Sequence, residues 1–264
     1  MDANDFLSLQ GRIALITGGG QGVGRAVSLL FAEHGAAVVV NDYHQDRAES
    51  VAKEILAAGG TAIGMQCDIT RFDDVTAMVD DVGKEFGTVD VLVNNAGNAG
   101  PTDDPLAVTP PFWETGPQDW RPWISTNFDG VLNCSRAVLP AMVQNNYGRI
   151  VTVISDAGRV GEPHLVVYGG AKAGAAGFIR GLAKAVGRHG ITANCVALST
   201  INTPGVASAL ADPDIVRKAL RSYVIRRFGE PEDPARLVLF LASEAGAWIT
   251  GQTYPVNGGY AISA

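Results

Sequence analysis

Tyr168 and Lys172 stand four residues apart in the run YGGAK. On a helix, that spacing puts both side chains on one face. A tyrosine hydroxyl titrates near about 10 and is a poor base at neutral pH. An ammonium beside it stabilises the phenolate and lowers that value. Such a pair can exchange a proton with an alcohol or ketone oxygen. Ser155 closes an apolar run and offers a hydrogen bond to the same oxygen. Taken singly, these parts have ordinary readings. A Tyr and a Lys at this spacing are mostly a surface pair, and a strand-end Ser is mostly a turn residue.

A second cluster suits phosphate. The run TGGGQGVG at 17–24 follows a β-branched stretch and opens an amphipathic one. Gly18, Gly22 and Gly24 allow a tight turn, backbone N–H groups close to a pyrophosphate, and close helix–strand contact. A helix N-terminus adds partial positive charge. Gln21 and Val23 lie inside the same turn. The competing reading is a plain tight turn. Asp42 then falls where a second strand ends, in VVVND. A carboxylate there accepts hydrogen bonds from an adenosine ribose and repels a 2′-phosphate; a strand-terminal turn Asp is its ordinary alternative. Position 21 is Gln and offers no cation to a 2′-phosphate. Both features favour NAD over NADP, with Arg12 and Arg47 as the basic residues that bear on the question.

Apolar strands alternating with helices must position these groups. Strands are predicted at 13–16, 37–41, 61–67, 89–94, 149–155, 191–198 and 253–256. Helices are predicted at 22–34, 47–58, 72–86, from about 122 to 145, 167–189 and 234–243. Strands that are apolar throughout, separated by helices, indicate a parallel sheet covered on both faces, with right-handed crossovers. The expectation is an α/β, single-domain, doubly wound sheet over 1–264, with long substrate-binding loops at about 98–122 and 199–230.

The bulk numbers narrow the classes. A net charge of −7 argues against a nucleic-acid partner. Glycine, at 32 residues, exceeds its usual share in a chain too apolar to be disordered. It therefore marks turns and close approaches inside a packed protein. Cys67, Cys134 and Cys195 are far apart and odd in number, so a reduced, cytoplasmic setting is expected. The acidic start MDANDFLSLQGR does not read as a signal peptide, and no apolar run suits a membrane span. No grouping has metal-ligand spacing, so no metal is expected.

The joint pattern resembles the short-chain dehydrogenase/reductase family over nearly the whole chain. The matching motifs fall in the family's order: TGGGQGVG, Asp42, CD at 67–68, NNAG at 94–97, Asn127 in STNFDG, Ser155 in ISDAG, YGGAK, and GQTYPVNGG at 251–259. The resemblance implies about seven strands in the order 3-2-1-4-5-6-7. It implies Tyr168 as general acid/base, Lys172 lowering its pKa and holding the nicotinamide ribose, and Ser155 orienting the substrate oxygen. Asn127 would hold a water linking Lys172 to solvent. Asp68 and Ile69 would meet the adenine, and Asn95, Ala96 and Gly97 would line the cofactor cleft. The implied activity is NAD-dependent hydride transfer to or from a secondary alcohol or ketone, in a homotetramer. Two alternatives stand beside it: an NADPH-dependent 3-oxoacyl-thioester reductase and a non-catalytic NAD-sensing protein.

One segment departs from the family. Leu198 and Ser199 occupy the places of a Pro-Gly pair, so the path leading to Ile201 and Thr203 at the nicotinamide is in question. Other features have bland readings. Phe112, Trp113, Trp120 and Trp123 are expected to pack under a loop or at a subunit contact more than to wall a pocket. Asp156 is expected to be a hydrogen-bonded or solvated turn residue, and His164 to stand near the substrate region without clearly lining it. The basic run at 216–227 reads as the solvated face of a lid helix. Five glycines along the Tyr168 helix suggest close packing against the cofactor or a second subunit.

Overall fold

The structure is a computed structural model that describes residues 6–98, 110–206 and 212–262. Strands β1 (Ile13–Thr17), β2 (Ala37–Asp42), β3 (Thr61–Gln66), β4 (Val91–Asn94), β5 (Gly148–Ser155), β6 (Ile191–Leu198) and β7 (Thr253–Val256) form one parallel sheet. Its order is β3-β2-β1-β4-β5-β6-β7, as expected. The order reverses direction at the β1–β4 junction, where two crossovers diverge and open a crevice beyond the strand ends.

Alternation along each strand divides the core into two layers. In β1, Ala14 and Ile16 join Val38 and Val40 on one face. There they pack on helices α1 (Gly22–Glu33) and α2 (Gln45–Ala57). Leu15 joins Val39 and Leu92 on the other face, under α3 (Phe72–Glu85).

The long helix expected after the Pro-rich connection is divided. It comprises α4 (Pro117–Ile124), a wider π-helical turn (Ser125–Asp129) and α5 (Gly130–Asn145). A Cβ on Gly130 would lie 2.5 Å from Ile69 Cδ1, so the backbone there runs tight against the segment after β3. Such turns inside helices often serve functional sites, and this one carries Asn127. After β5 come the short α6 (Ala157–Val160) and α7 (Val166–Val186), which bears Tyr168 and Lys172. The chain closes with α8 (Pro213–Ala219), α9 (Glu232–Ala242) and β7. α9 covers the α1 face, while α5 and α7 cover the other.

Parts of both long loops, 99–109 and 207–211, lie outside the described residues. The basic run is exposed, and several of its charges are paired. Arg217 pairs with Asp214, and Arg227 pairs with Asp233 at 2.6 Å. Of the glycines on α7, only Gly169 makes a close approach, where a Cβ would meet Ala157 O at 2.8 Å. Gly170 and Gly181 face open space, so close packing within the chain does not explain them.

Candidate active site

A cleft of about 1550 Å3 lies along the C-terminal ends of the strands. Its floor begins at the glycine turn. Gly18 (φ +61°) and Gly22 (φ +54°) hold the left-handed backbone that glycine tolerates. A Cβ on Gly24 would sit 2.0 Å from Gly18 O, which accounts for glycine in the third place. The end of β4 braces the turn. Asn95 Nδ2 donates to Thr17 O and Gly18 O at 3.0 and 3.1 Å. The Asn95 and Ala96 amides each donate to Thr17 Oγ1 at 3.1 Å. Gln21 precedes α1 without a side-chain cap on that helix. The turn thus offers backbone donors and a helix N-terminus to an anion, which is the chemistry a dinucleotide pyrophosphate needs.

Asp42 ends β2 in the same cleft. Its Oδ2 accepts from Gly20 N at 3.2 Å and its Oδ1 from His44 N at 3.0 Å. The two basic residues singled out in the sequence part ways. Arg12 lies over the Tyr147 ring and pairs with Asp90 at 3.7 Å, and it does not line the cleft. Arg47 lines the cleft, and a Cβ on Gly20 would lie between it and Asp42. Asp68 and Ile69 line the same end, with Asp68 Oδ1 held by Thr70 N and Thr70 Oγ1 at 2.9 and 2.8 Å.

The reactive set gathers at the other end. Ser155 is the last residue of β5, and Tyr168 and Lys172 stand one turn apart near the start of α7. Lys172 is buried, 3% exposed. Its Nζ donates to Val153 O at 2.9 Å and lies 5.8 Å from the Tyr168 ring centre. Burial lowers its pKa to about 8. Burial pushes the Tyr168 pKa up, and a hydrogen bond with Ser155 opposes it. The sequence argument expected the ammonium to dominate; here desolvation does.

Asn127 is fully buried in the π-helical turn, its Nδ2 donating to Asn98 O and Trp123 O at 3.0 Å each. Among the described residues its Oδ1 is buried with no hydrogen-bond partner. Gly97 sits between this oxygen and the ammonium: a Cβ there would be 2.9 Å from Asn127 Oδ1 and 3.1 Å from Lys172 Nζ.

The loop after Leu198 still brings its residues to the cleft. Ile201 is buried and pairs with Gly229 in a short bridge. Thr203 Cγ2 lies 3.1 Å from where a Cβ on Gly22 would stand. Of the four aromatic residues in and after the Pro-rich segment, Trp123 departs from the packing-under-a-loop reading. It is buried and stands edge-on to Tyr168, ring centres 5.8 Å apart. Trp113 is exposed, and Phe112 stacks on Trp120. Asp156 is a buried turn residue bonded to Asn257 and Arg159. His164 is exposed and does not line the cleft.

Sequence reasoning missed Glu162, Tyr223 and Tyr260, which line the same cleft. Glu162 was within reach, standing between Ser155 and Tyr168 in the chain. Tyr260 stands 98 residues beyond Glu162, and no spacing rule links them.

A dinucleotide turn at a switch point, with Ser, Tyr and Lys at the adjoining strand end, defines a Rossmann-type, nicotinamide-dependent oxidoreductase. Comparison with known proteins narrows the class. The family described as enoyl-(acyl carrier protein) reductase matches residues 18–261. The chain is 37% identical over 258 residues to 7alpha-hydroxysteroid dehydrogenase of Escherichia coli, covering 97% of this chain and 96% of that one. It is 39% identical over 247 residues to a 3-oxoacyl-[acyl-carrier-protein] reductase of Staphylococcus epidermidis, covering 93% and 97%. A solved 7alpha-hydroxysteroid dehydrogenase, complexed with NADH and 7-oxo glycochenodeoxycholic acid, superposes with TM-score 0.90 at 37% identity, covering 98% of each chain. The chain belongs to the short-chain dehydrogenase/reductase family.

Proposed function

We propose that the chain is an NAD-dependent dehydrogenase/reductase of secondary alcohols and the matching ketones, acting as one domain. The observation that carries this reading is the convergence of Ser155, Tyr168 and Lys172 at one end of a cleft whose other end holds Asp42, with an Asn127 oxygen that has no partner among the described residues lying behind Gly97. In this reading Gly18, Gln21, Gly22, Val23 and Gly24 hold the pyrophosphate, and Asp42 the adenosine ribose. Asp68 and Ile69 meet the adenine. Asn95, Ala96 and Gly97 support the cleft floor, and Ile201 and Thr203 the nicotinamide end.

When bound, the nicotinamide supplies the hydride acceptor or donor. In the oxidation direction, Tyr168 Oη takes the proton from the substrate hydroxyl, and Ser155 Oγ donates a hydrogen bond to the same oxygen. Lys172, while protonated, favours the phenolate by its charge. Asn127 Oδ1 is placed to hold a water beside Lys172, so that the proton leaves toward solvent. Trp123 meets the Tyr168 ring edge-on and fixes its position.

The test is a panel of secondary alcohols, sterols and hydroxyacyl thioesters with NAD, read as NADH absorbance. The reading fails if the protein does not bind NAD(H), or if Tyr168→Phe leaves activity intact.

A second reading, an NADPH-dependent 3-oxoacyl-thioester reductase, has one feature in its favour: Arg47 stands beside Asp42 in the cleft. Comparing rates with NADH and NADPH separates the two. The presence of all four reactive residues argues against a non-catalytic NAD sensor. The buried free thiols of Cys67, Cys134 and Cys195 suit a reducing cytoplasm. We assign a homotetramer by family resemblance, with α5 and α7 between subunits; a light-scattering mass near that of one chain would refute it.

A further inference from the structure

On the cleft wall, the Tyr260 hydroxyl donates to Glu162 Oε1. The two side chains come from opposite parts of the chain, and buried groups hold the Tyr260 side in place. Asp156, immediately after Ser155, accepts from Asn257 Nδ2 at 2.7 Å. The same Nδ2 donates to Ala261 O at 2.9 Å, so both neighbours of the Asn257–Ala261 turn are pinned beside the reactive strand. Tyr223 packs on Tyr260, ring centres 5.3 Å apart, and its hydroxyl accepts from Thr200 N at 3.1 Å. The backbone adds Ile225 N to Gly258 O at 2.9 Å. Glu162 presents a half-buried carboxylate, held by the Tyr260 hydroxyl, six residues before Tyr168, on the cleft wall.

We propose that Glu162, oriented by Tyr260, is a specificity-determining acceptor for a second hydroxyl of the substrate, remote from the carbon that reacts. A carboxylate accepts about four hydrogen bonds, and Tyr260 uses one of them. The remaining lone pairs accept from a neutral O–H or N–H donor or a cation and repel an anionic group at the same place. The class we commit to is a diol or polyol, including hydroxylated ring systems, and an amino alcohol preferred over the diol would overturn it. This inference rests on the secondary-alcohol reading above.

The test compares kcat/KM with NAD for matched pairs: cyclohexanol with the cyclohexanediols, and a monohydroxysteroid with its dihydroxy counterparts. The expected result is a preference for the dihydroxy member of at least one pair by about ten-fold, because a built acceptor discriminates against a partner that leaves it unpaired. Glu162→Gln is expected to reduce that ratio at least five-fold, chiefly through KM. Tyr260→Phe, which frees the carboxylate without removing it, is expected to reduce it less. NADH fluorescence on binding reports whether each variant retains its fold. Oxidation with no dihydroxy preference, or variants that lower both members of a pair equally, would overturn the inference and leave the secondary-alcohol reading standing. No oxidation of any pair by the wild type would overturn the inference, and no oxidation of any secondary alcohol would overturn both.

Discussion

Lys172 Nζ donates to Val153 O at 2.9 Å, tying the buried ammonium to the strand that ends in Ser155. The bond fixes the lysine, and burial lowers its pKa to about 8. An unfolded lysine titrates near about 10.4. Between the two values the unfolded chain binds more protons, so stability rises with pH across that window and is flat in this respect below it. Wild type is expected to gain on the order of 2 kcal/mol relative to Lys172→Met between pH 8 and 10. Urea midpoints measured for both proteins check this. Parallel profiles would show that the lysine is not depressed.

Tyr168 is held above its ordinary pKa by burial. Oxidation needs the phenolate, so the rate with NAD is expected to rise through the alkaline range, whereas ketone reduction is expected to fall. Tyr168→Phe should lower kcat by about three orders of magnitude, within the range of general acid–base catalysis. NAD affinity, read by NADH fluorescence, should stay within a few-fold.

Asp42 holds the turn through Gly20 N and lines the cleft. Asp42→Ala should lower the ratio of kcat/KM for NAD over NADP by at least about ten-fold, since hydrogen bonds to charged groups contribute about 1.5–3 kcal/mol. Arg47 then faces a 2′-phosphate without the opposing carboxylate. Arg47→Ala in the same background should take back the gain with NADP. An unchanged cofactor ratio in Asp42→Ala would remove the basis for the NAD assignment.

Two glycine substitutions contrast packing with propensity. Gly24→Ala places a Cβ 2.0 Å from Gly18 O, a backbone atom that cannot swing aside. It should cost more than about 2 kcal/mol and weaken NAD binding. Gly83, exposed on α3, has open space where its Cβ would stand. Gly83→Ala should stabilise by about 0.5–1 kcal/mol. Thermal melts of the two variants, with and without NAD, check both.

Much of the site was legible because its signals are short. The turn at 17–24, Asp42, and the Tyr168–Lys172 pair each depend on neighbours within a few residues or on the end of an adjacent strand. The departures came where that locality ends. The helix expected up to Asn145 carries a π-helical turn, and just after it Gly130 lies close to Ile69, a residue 61 positions earlier. Trp123 was grouped with exposed aromatics by sequence proximity, yet it packs on Tyr168 through the meeting of α4 with α7. Arg12 and Arg47 looked equivalent in sequence; the sheet puts Arg12 at the N-terminal end of β1 and Arg47 beside the C-terminal end of β2.

The sequence by itself determined the strand and helix order, the parallel sheet and the residue types able to move a proton and bind a dinucleotide. Apolar periodicity and turn chemistry are set by covalent neighbours and need no knowledge of distant chain. Only the tertiary structure decided that Trp123 meets Tyr168, that Gly97 stands between the Asn127 oxygen and Lys172, and that Glu162 meets Tyr260 on the cleft wall. Those pairings arise from the packing of whole elements, and side chains brought together that way leave no repeat or spacing in the sequence to read.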